Sequence, residues 1–146
     1  MIGHMPQSAE AIRAAAELRA VLGQLLRRLR TENSRPTSQL SVLGRLDRGG
    51  PQTTSGLAAA EHMRPQSMAE IVGELQADGL VDRTPDPTDR RQLLVGLTHE
   101  GRDFLRRERR RREDWLSQAI SEELSPREQA LLVEAVGLLR RLAELD

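Results

Sequence analysis

The stretch that decides the fold runs from Met63 to Gly101, MRPQSMAEIVGELQADGLVDRTPDPTDRRQLLVGLTHEG. Its first part predicts a helix, because Pro65 suits the first helical position and Gly79 suits a left-handed stop. Two strand-like segments follow, LVDRT and QLLVGLT, on either side of the loop PDPTDRR. Apolar residues at every second position of the later segment indicate a half-buried strand. The stretch therefore predicts a helix followed by a β-hairpin with a basic tip.

Upstream of this stretch, the spacing of the apolar residues predicts further helices. Leucines recur at three- and four-residue steps over about 8–30 and again over about 38–48. The segment TENSRPT separates these two helices, and GGP ends the second one. A short third helix then begins, capped by Thr53 or Thr54. Three short helices are thus expected before the hairpin, counting the one that begins at Pro65, with a long helix in front of them.

Downstream of the hairpin, two more helices are expected. Thr98 can cap a long helix that runs to about Ser121, and SPRE at 125–128 forms a capping box that opens a last helix. The chain is therefore predicted to be mainly α with a small β-hairpin. Two short helices joined by a turn, followed by a hairpin with a basic tip, form the layout of a winged helix-turn-helix.

Composition narrows the class of protein. The chain has 146 residues, enough for one domain, and contains no cysteine. Disulfides, thiolate metal sites and cysteine-based redox sensing are therefore excluded. No run approaches the ~20 apolar residues of a membrane span and no secretory signal opens the sequence, so we expect a cytoplasmic protein with no membrane partner. Residues 1–7 are predicted to be a flexible N-terminus, and its first part, MIGHM, resembles a cloning remnant.

Nothing in the sequence predicts an enzyme. His4, His62 and His99 lie on separate predicted elements, without the spacing of metal ligands. Ser67 and Ser125 are explained by a helix surface and a helix cap, and a glycine-rich phosphate loop is missing. We therefore expect no catalytic residue, no metal and no cofactor.

The charges are laid out unevenly along the chain. Residues 83–112 contain ten arginines and five acids, whereas residues 113–146 contain three arginines and eight acids. A basic middle segment hints at an anionic partner. Within it, the arginines of 106–112 wrap around the predicted helix, so we interpret them mainly as a solvated face. A contribution to long-range steering of DNA is the alternative.

The segment 63–101 resembles the core of the MarR family of transcriptional regulators. Three features carry the resemblance: L-x-x-x-G-L-V-x-R before the hairpin, D-P-x-D-R-R at its tip, and L-T-x-x-G after it. The flanking helices match as well, so the resemblance covers nearly the whole chain. It implies a single MarR-type domain over 8–146, with a winged-helix headpiece at about 38–98 and helical dimerisation arms at about 8–30 and 99–146.

By this resemblance, the hairpin is a wing that contacts DNA through Asp86, Asp89, Arg90 and Arg91. Arg91 would enter the minor groove, where narrow A·T tracts concentrate negative potential, and Arg90 would lie at or near a phosphate. Asp89 stands two residues from Arg91, close enough for its carboxylate to orient the guanidinium. The alternative is that these four residues form only a solvated ion-pair loop.

The resemblance also assigns a recognition helix to the segment that begins at Pro65. Its exposed N-terminal residues are expected to be Arg64, Pro65, Gln66, Ser67, Ala69 and Glu70. Gln66 can make paired hydrogen bonds to adenine, and Ser67 can reach a base edge or a phosphate. The helix departs from the family pattern, which often has Arg or Lys around position 70, where this chain has Glu70 and Glu74. Glu70 either accepts from a cytosine amino group or is a surface residue that pairs with Arg64.

The function implied is that of a homodimeric regulator, in this family most often a repressor, that binds a pseudo-palindromic double-stranded DNA operator. The resemblance further implies release by a small aromatic or phenolic effector, in a crevice that we expect near Leu22, Leu26, Leu43 and the start of the long helix after the hairpin. The competing hypothesis is a helical dimer that acts as a protein-interaction module and whose winged helix has lost specific DNA binding. The acidic recognition helix motivates that alternative.

Overall fold

The structure, a computed structural model, describes residues 6–145. His4 and most of the predicted flexible N-terminus lie outside the described residues. The elements follow one another as α1 (Ala9–Arg30), α2 (Thr37–Gly49), β1 (Gln52–Thr53), α3 (Thr54–Ala60), α4 (Pro65–Ala77), β2 (Val81–Pro85), β3 (Leu93–Leu97), α5 (His99–Glu123) and α6 (Pro126–Ala143). The predicted mainly α class with a small β-hairpin is confirmed.

The chain divides into two compact units, one ending at Leu105 and the other beginning at Arg106. The first unit holds α1 to β3 together with the first two turns of α5, and the second holds the rest of α5 and α6. Leu105 belongs to the hydrophobic core of the first unit. The first unit therefore extends into α5, and the predicted headpiece at about 38–98 stays a prediction. The predicted single MarR-type domain over 8–146 stays a prediction.

The helix boundaries of the first unit follow local signals in the sequence. Ser8 caps α1 by accepting from the amide of Ala11 at 3.0 Å, and Thr53 caps α3 by accepting from the amide of Gly56 at 3.0 Å. Of the two threonines predicted as the cap of α3, Thr53 is the one that serves and Thr54 is the first helical residue. A side-chain acceptor at the first amides of a helix satisfies donors that otherwise lack a partner.

The end of α4 is a Schellman motif. Gly79 has a φ of 75°, its amide donates to the carbonyl of Gln76 at 3.0 Å, and the amide of Leu80 donates to the carbonyl of Leu75 at 3.0 Å. Leu80 is buried and packs in the core. A left-handed conformation costs glycine little, which is why the chain turns here into β2. The predicted stop at Gly79 is confirmed.

The sheet has three antiparallel strands in the order β1-β3-β2. The hairpin register pairs Val81 with Leu97 at its base and Pro85 with Leu93 near its tip. The two-residue strand β1 pairs with the other side of β3 and was not predicted from the sequence. Leu93 is exposed, in contrast to the predicted alternation, because it lies at the tip end of the hairpin, while Val95 at its centre is fully buried.

The core of the first unit is formed by the apolar faces of α2, α3 and α4 against β3 and the start of α5. Its buried members are Leu40, Val42, Leu43, Leu46, Leu57, Ala58, Met68, Val72, Leu75, Leu80, Val81, Val95 and Leu105. Aliphatic side chains dominate because the chain is poor in aromatics. On α4, Met68, Val72 and Leu75 are buried, and Ile71 packs at the core's edge.

The first helix, α1, contributes no side chain to this core. Five of its large apolar residues are exposed: Ile12, Val21, Leu22, Leu25 and Leu26. An amphipathic helix of this kind, 22 residues long, is only marginally stable in water unless its apolar stripe packs against another surface. The apolar face of α1 is therefore expected to be covered by another protein surface in the functional state.

The second unit shows the same feature. Its last helix, α6, begins with the predicted capping box, in which Ser125 accepts from the amide of Glu128 at 3.2 Å and Glu128 accepts from the amide of Ser125 at 3.0 Å. The hydrogen bond from the amide of Ser125 is the main cause that lowers the pKa of Glu128, and the Ser125 side chain adds to it. Large exposed apolar residues follow along the helix and just past it: Leu131, Val133, Val136, Leu138, Leu142 and Leu145.

No helix among residues 6–145 is both long enough and apolar enough to cross a membrane.

Candidate nucleic-acid interface

The N-terminal half of α4 presents a polar surface over a buried apolar one. Met68, Val72 and Leu75 hold one side of the helix in the core. The six residues predicted to face DNA are all exposed: Arg64, Pro65, Gln66, Ser67, Ala69 and Glu70. Pro65 is the first helical residue, as predicted, and Arg64 is the N-cap residue. The first turn carries no acidic side chain, so its unpaired amides and positive dipole end are open to an anion.

The turn between α3 and α4 is held by His62 in a left-handed conformation. The φ of His62 is 54°, the only positive value among the non-glycine residues that the structure describes. The amides of His62 and Met63 donate to the carbonyls of Ala59 and Ala58 at 3.3 and 2.9 Å, which closes a Schellman turn. A side chain in this conformation is strained by about 1–3 kcal/mol. The sequence signalled no such role, since glycine or asparagine is the usual residue at this position.

A side-chain latch joins α2 to the end of α3. The carboxylate of Glu61 accepts from Nε of Arg45 at 2.8 Å and from the hydroxyl of Ser41 at 2.9 Å. The hydrogen bond from Arg45 is the main reason that the pKa of Glu61 lies below its ordinary value. The latch fixes the position from which the turn to α4 departs.

The tip of the hairpin is closed by its own side chains. One carboxylate oxygen of Asp86 accepts from the amide of Thr88 at 2.9 Å and from its hydroxyl at 2.8 Å. The amide of Asp86 donates to the carbonyl of Gln92 at 2.9 Å across the loop. The hydrogen bond from the backbone amide of Thr88 is the main cause that lowers the pKa of Asp86. Together with Pro85 and Pro87, these bonds reduce the conformations open to the loop.

Arg91 extends from this closed tip into solvent. Its side chain is 92% exposed, and its Nε donates to Oδ1 of Asp89 at 3.3 Å. The same oxygen accepts from the backbone amide of Arg91 at 3.1 Å. Asp89 thus orients the guanidinium as its spacing predicted, while Arg90 next to it is exposed. The arrangement presents two cations on a stiff loop, which is suited to a narrow anionic groove.

Known proteins resemble the chain over most of its length. A family model described as the MarR family matches residues 34–92, from the segment before α2 to the wing tip. An uncharacterized HTH-type transcriptional regulator of Mycobacterium bovis, Mb0904, is 36% identical over 135 residues, which are 90% of this chain and 94% of that protein. The chain belongs to the MarR family. It is a transcriptional regulator with a winged helix-turn-helix.

Solved structures share this MarR-family fold. A crystal structure from Pseudomonas aeruginosa is 42% identical, covers 96% of this chain and 100% of its own, and superposes with a TM-score of 0.79. A variant of MepR from S. aureus, bound to an oligodeoxyribonucleotide, covers 90% of this chain and 97% of its own with a TM-score of 0.67. At 19% identity, that structure shows the shared fold alone.

The two glutamates that depart from the usual MarR-family pattern lie in different environments. Glu74 accepts from Nε2 of Gln39 on α2 at 2.6 Å, and Gln39 is itself buried. Glu70, one turn earlier, is exposed near the N-terminal half of α4. Glu74 is therefore a structural contact between two helices of the headpiece, and only Glu70 adds an acid to the exposed start of the helix.

The three leucines predicted to line the ligand crevice differ in their exposure to solvent. Leu22 and Leu26 are exposed on α1, whereas Leu43 is fully buried in the core and offers no surface to a ligand. The crevice stays a prediction. Among residues 6–145, no group of three or more histidine, aspartate or glutamate side chains is placed to hold a metal ion.

Proposed function

We propose that this MarR-family regulator binds a specific DNA operator as a homodimer and represses transcription in the cytoplasm. The observation that carries the proposal is the exposed guanidinium of Arg91, held by Asp89 on a closed, proline-stiffened loop. A loop that served only as a solvated turn would need neither this closure nor an oriented cation at its tip.

In this proposal the wing positions the protein on the DNA backbone and minor groove. Arg91 inserts into a narrow A·T-rich minor groove, and Arg90 contacts a neighbouring phosphate. Asp86 and Asp89 hold the loop of the wing, because one carboxylate oxygen of each accepts hydrogen bonds within it. Since the wing contacts are largely electrostatic, the affinity falls steeply as salt rises.

The start of α4 supplies the contacts to bases in the major groove. Gln66 can bond adenine through both atoms of its amide, and Ser67 can bond a base edge or a phosphate. Glu70 accepts from the amino group of a cytosine, the base that a carboxylate prefers. Arg64, at the N-cap, contacts a phosphate beside the helix N-terminus, where backbone amides also favour an anion.

The homodimer is supported by the uncovered apolar faces of α1 and α6. Neither helix buries a side chain in this chain, although both carry a stripe of large aliphatic residues. Exposed apolar surface on that scale marks a protein interface. A two-fold dimer presents two copies of α4 to half-sites about one helical turn apart, roughly 34–36 Å, so the operator is a pseudo-palindrome.

Repression follows from occupancy, because a dimer seated across two major grooves excludes other proteins from the same DNA. We further propose release by a small aromatic or phenolic ligand, as the family resemblance implies.

The second candidate function, a dimeric protein-interaction module without specific DNA binding, is favoured by one observation. That observation is Glu70, which places a negative charge on the exposed start of α4.

Selection of genomic fragments, followed by titration of the recovered site, separates the two functions. Wild type, Arg91→Ala and Arg13→Ala are compared across a salt series. Arg13 is a matched control, because it is an exposed arginine of α1 whose loss removes the same charge. We expect Arg91→Ala to weaken binding at least ~10-fold with a shallower salt slope, and Arg13→Ala to leave the affinity within about twofold.

Recovery of an inverted repeat with this pattern supports the regulator and its wing. Weak, sequence-indifferent binding that Arg91→Ala does not change would refute the proposal and leave the interaction module. The mass of the complex on the recovered site, measured by light scattering, tests the homodimer separately.

A further inference from the structure

Arg35 stands at the centre of a contact network that joins three helices of the headpiece. It lies in the segment between α1 and α2, one residue before Pro36. Its Nη2 donates to Oδ2 of Asp78 at 2.6 Å, and its Nη1 donates to Oε1 of Gln39 at 3.0 Å. Its guanidinium carbon lies 5.4 Å from the ring centre of Phe104 on α5, within range of a cation–π contact.

The network reaches the C-terminal end of α4 through two carboxylates. Asp78 is the C-cap residue of α4, and Glu74 lies one turn before it. Gln39 uses its amide oxygen to accept from Arg35 and its amide nitrogen to donate to Glu74, at 3.0 and 2.6 Å. Arg35 and Gln39 thus bind α4 at two residues near its C-terminal end, the end opposite to its exposed start.

This network combines a buried amide with a partly exposed ion pair. Gln39 is 6% exposed and the side chain of Arg35 is 24% exposed, whereas the side chain of its partner Asp78 is 49% exposed. A planar guanidinium that bonds in two directions while it stacks on a ring has one orientation, which lysine cannot reproduce. The bonds cross 43 and 35 positions of sequence, and so they set the placement of α4 against α2 and the α1–α2 joint.

We infer that Arg35 is a positioning residue for DNA recognition: it fixes the angle of α4, the helix that reads the bases, to the joint at the end of α1. The inference rests on the proposed function in that it takes α4 as the recognition helix. Because the network holds the far end of α4, a displacement there swings the exposed start, where Gln66 and Glu70 lie. Base contacts depend on that angle, whereas contacts from the wing to phosphates do not.

Two measurements on the full chain test the inference, the first without DNA. Amide hydrogen exchange is compared for wild type, Arg35→Ala, Arg35→Lys and Asp78→Asn. Arg35→Ala is expected to speed exchange at 75–80, the end of α4, at least ~10-fold and to leave α3 within about twofold, since only the α4 end is released. Arg35→Lys is expected to behave like Arg35→Ala. Equal exchange at 75–80 in all four proteins, or an equal rise across the whole headpiece, overturns the inference.

The second measurement compares the affinity for the recovered operator with that for random-sequence DNA. Arg35→Ala is expected to weaken operator binding ~10-fold and random-sequence binding less than about twofold, because phosphate contacts are retained. Arg13→Ala again controls for the lost charge. The double variant Arg35→Ala/Asp78→Asn should lose no more operator affinity than Arg35→Ala, since both substitutions break one network. An equal loss on both DNAs, or no loss on the operator, overturns the inference.

The two measurements separate this inference from the proposed function. If the wild type shows no preference for any DNA sequence, the proposed function fails. The exchange rates at 75–80 then still decide whether Arg35 sets the placement of α4.

Discussion

Gly101 and Leu80 approach each other more closely than any residue with a Cβ atom allows. A Cβ built on Gly101 would lie 2.1 Å from the carbonyl oxygen of Leu80. The same carbonyl oxygen of Leu80 accepts from the amide of Thr98 at 3.1 Å. The hydroxyl Oγ1 of Thr98 donates to the carbonyl of Gly79 at 2.6 Å and accepts from the amide of Gly101 at 3.0 Å. The start of α5 is thus fastened to the segment between α4 and β2, and the L-T-x-x-G pattern has a physical cause.

Gly101→Ala is expected to destabilise the protein by about 1–3 kcal/mol, because the added methyl group meets a backbone oxygen that is already bonded. The check is urea unfolding at one fixed protein concentration, read as a fall in the midpoint with an unchanged slope. An unchanged midpoint would show that α5 can shift away from Leu80 without cost. Gly73→Ala on α4, where nothing lies within 4 Å of the added carbon, is the control, and it should not lower the midpoint.

Gly73→Ala is expected to move stability and DNA affinity in opposite directions. Gly73 lies inside α4, is exposed, and has no atom within 4 Å of a built Cβ, so alanine should stabilise the helix by about 0.5–1 kcal/mol. At 100° per residue it shares the outward face of Gln66 and Glu70, where an added methyl group hinders close approach to DNA. Urea unfolding together with titration of the operator measures both effects. Tighter operator binding by this variant would contradict the placement of α4 in the groove.

His62→Gly is expected to stabilise the protein by about 1 kcal/mol, because glycine adopts a φ of 54° without the clash that a Cβ causes. His62→Ala serves as the control, since it removes the imidazole but keeps the Cβ, and it should stay close to wild type. Thermal unfolding of the three proteins gives the comparison. If both variants lose stability equally, the imidazole matters more than the backbone conformation.

Local signals made much of this fold predictable. Thr53, Gly79 and Ser125 cap or stop helices through bonds to amides and carbonyls within a few residues, and Asp89 reaches Arg91 across two positions. Each of these contacts lies within one turn or loop. A sequence pattern that specifies the local backbone therefore specifies the contact as well.

Contacts between distant segments were not predictable in the same way. The bond between Gln39 and Glu74 depends on how α2 packs on α4, and the sequence marked Glu74 only as a departure from the family pattern. The pairing of β1 with β3 involves two residues, too few for an alternating pattern to appear. Leu43 was assigned to a ligand crevice through the family resemblance, whereas in the structure the packing of α2 buries it in the core.

The latch at Glu61 predicts a pH dependence of stability. The pKa of Glu61 in the folded protein is lowered from 4.5, chiefly by the hydrogen bond from Arg45, so its contribution is present above pH 4.5 and is lost as the pH falls through the folded-state value. Glu61→Gln should therefore cost about 1 kcal/mol at neutral pH and progressively less in acid, where the wild-type carboxyl is itself protonated. Urea midpoints measured from neutral pH downwards for wild type, Glu61→Gln and Glu10→Gln, an exposed control on α1, give the test. A Glu61→Gln deficit that persists unchanged after the pH has fallen through the folded-state pKa would mean that shape, and not charge, holds α2 to α3.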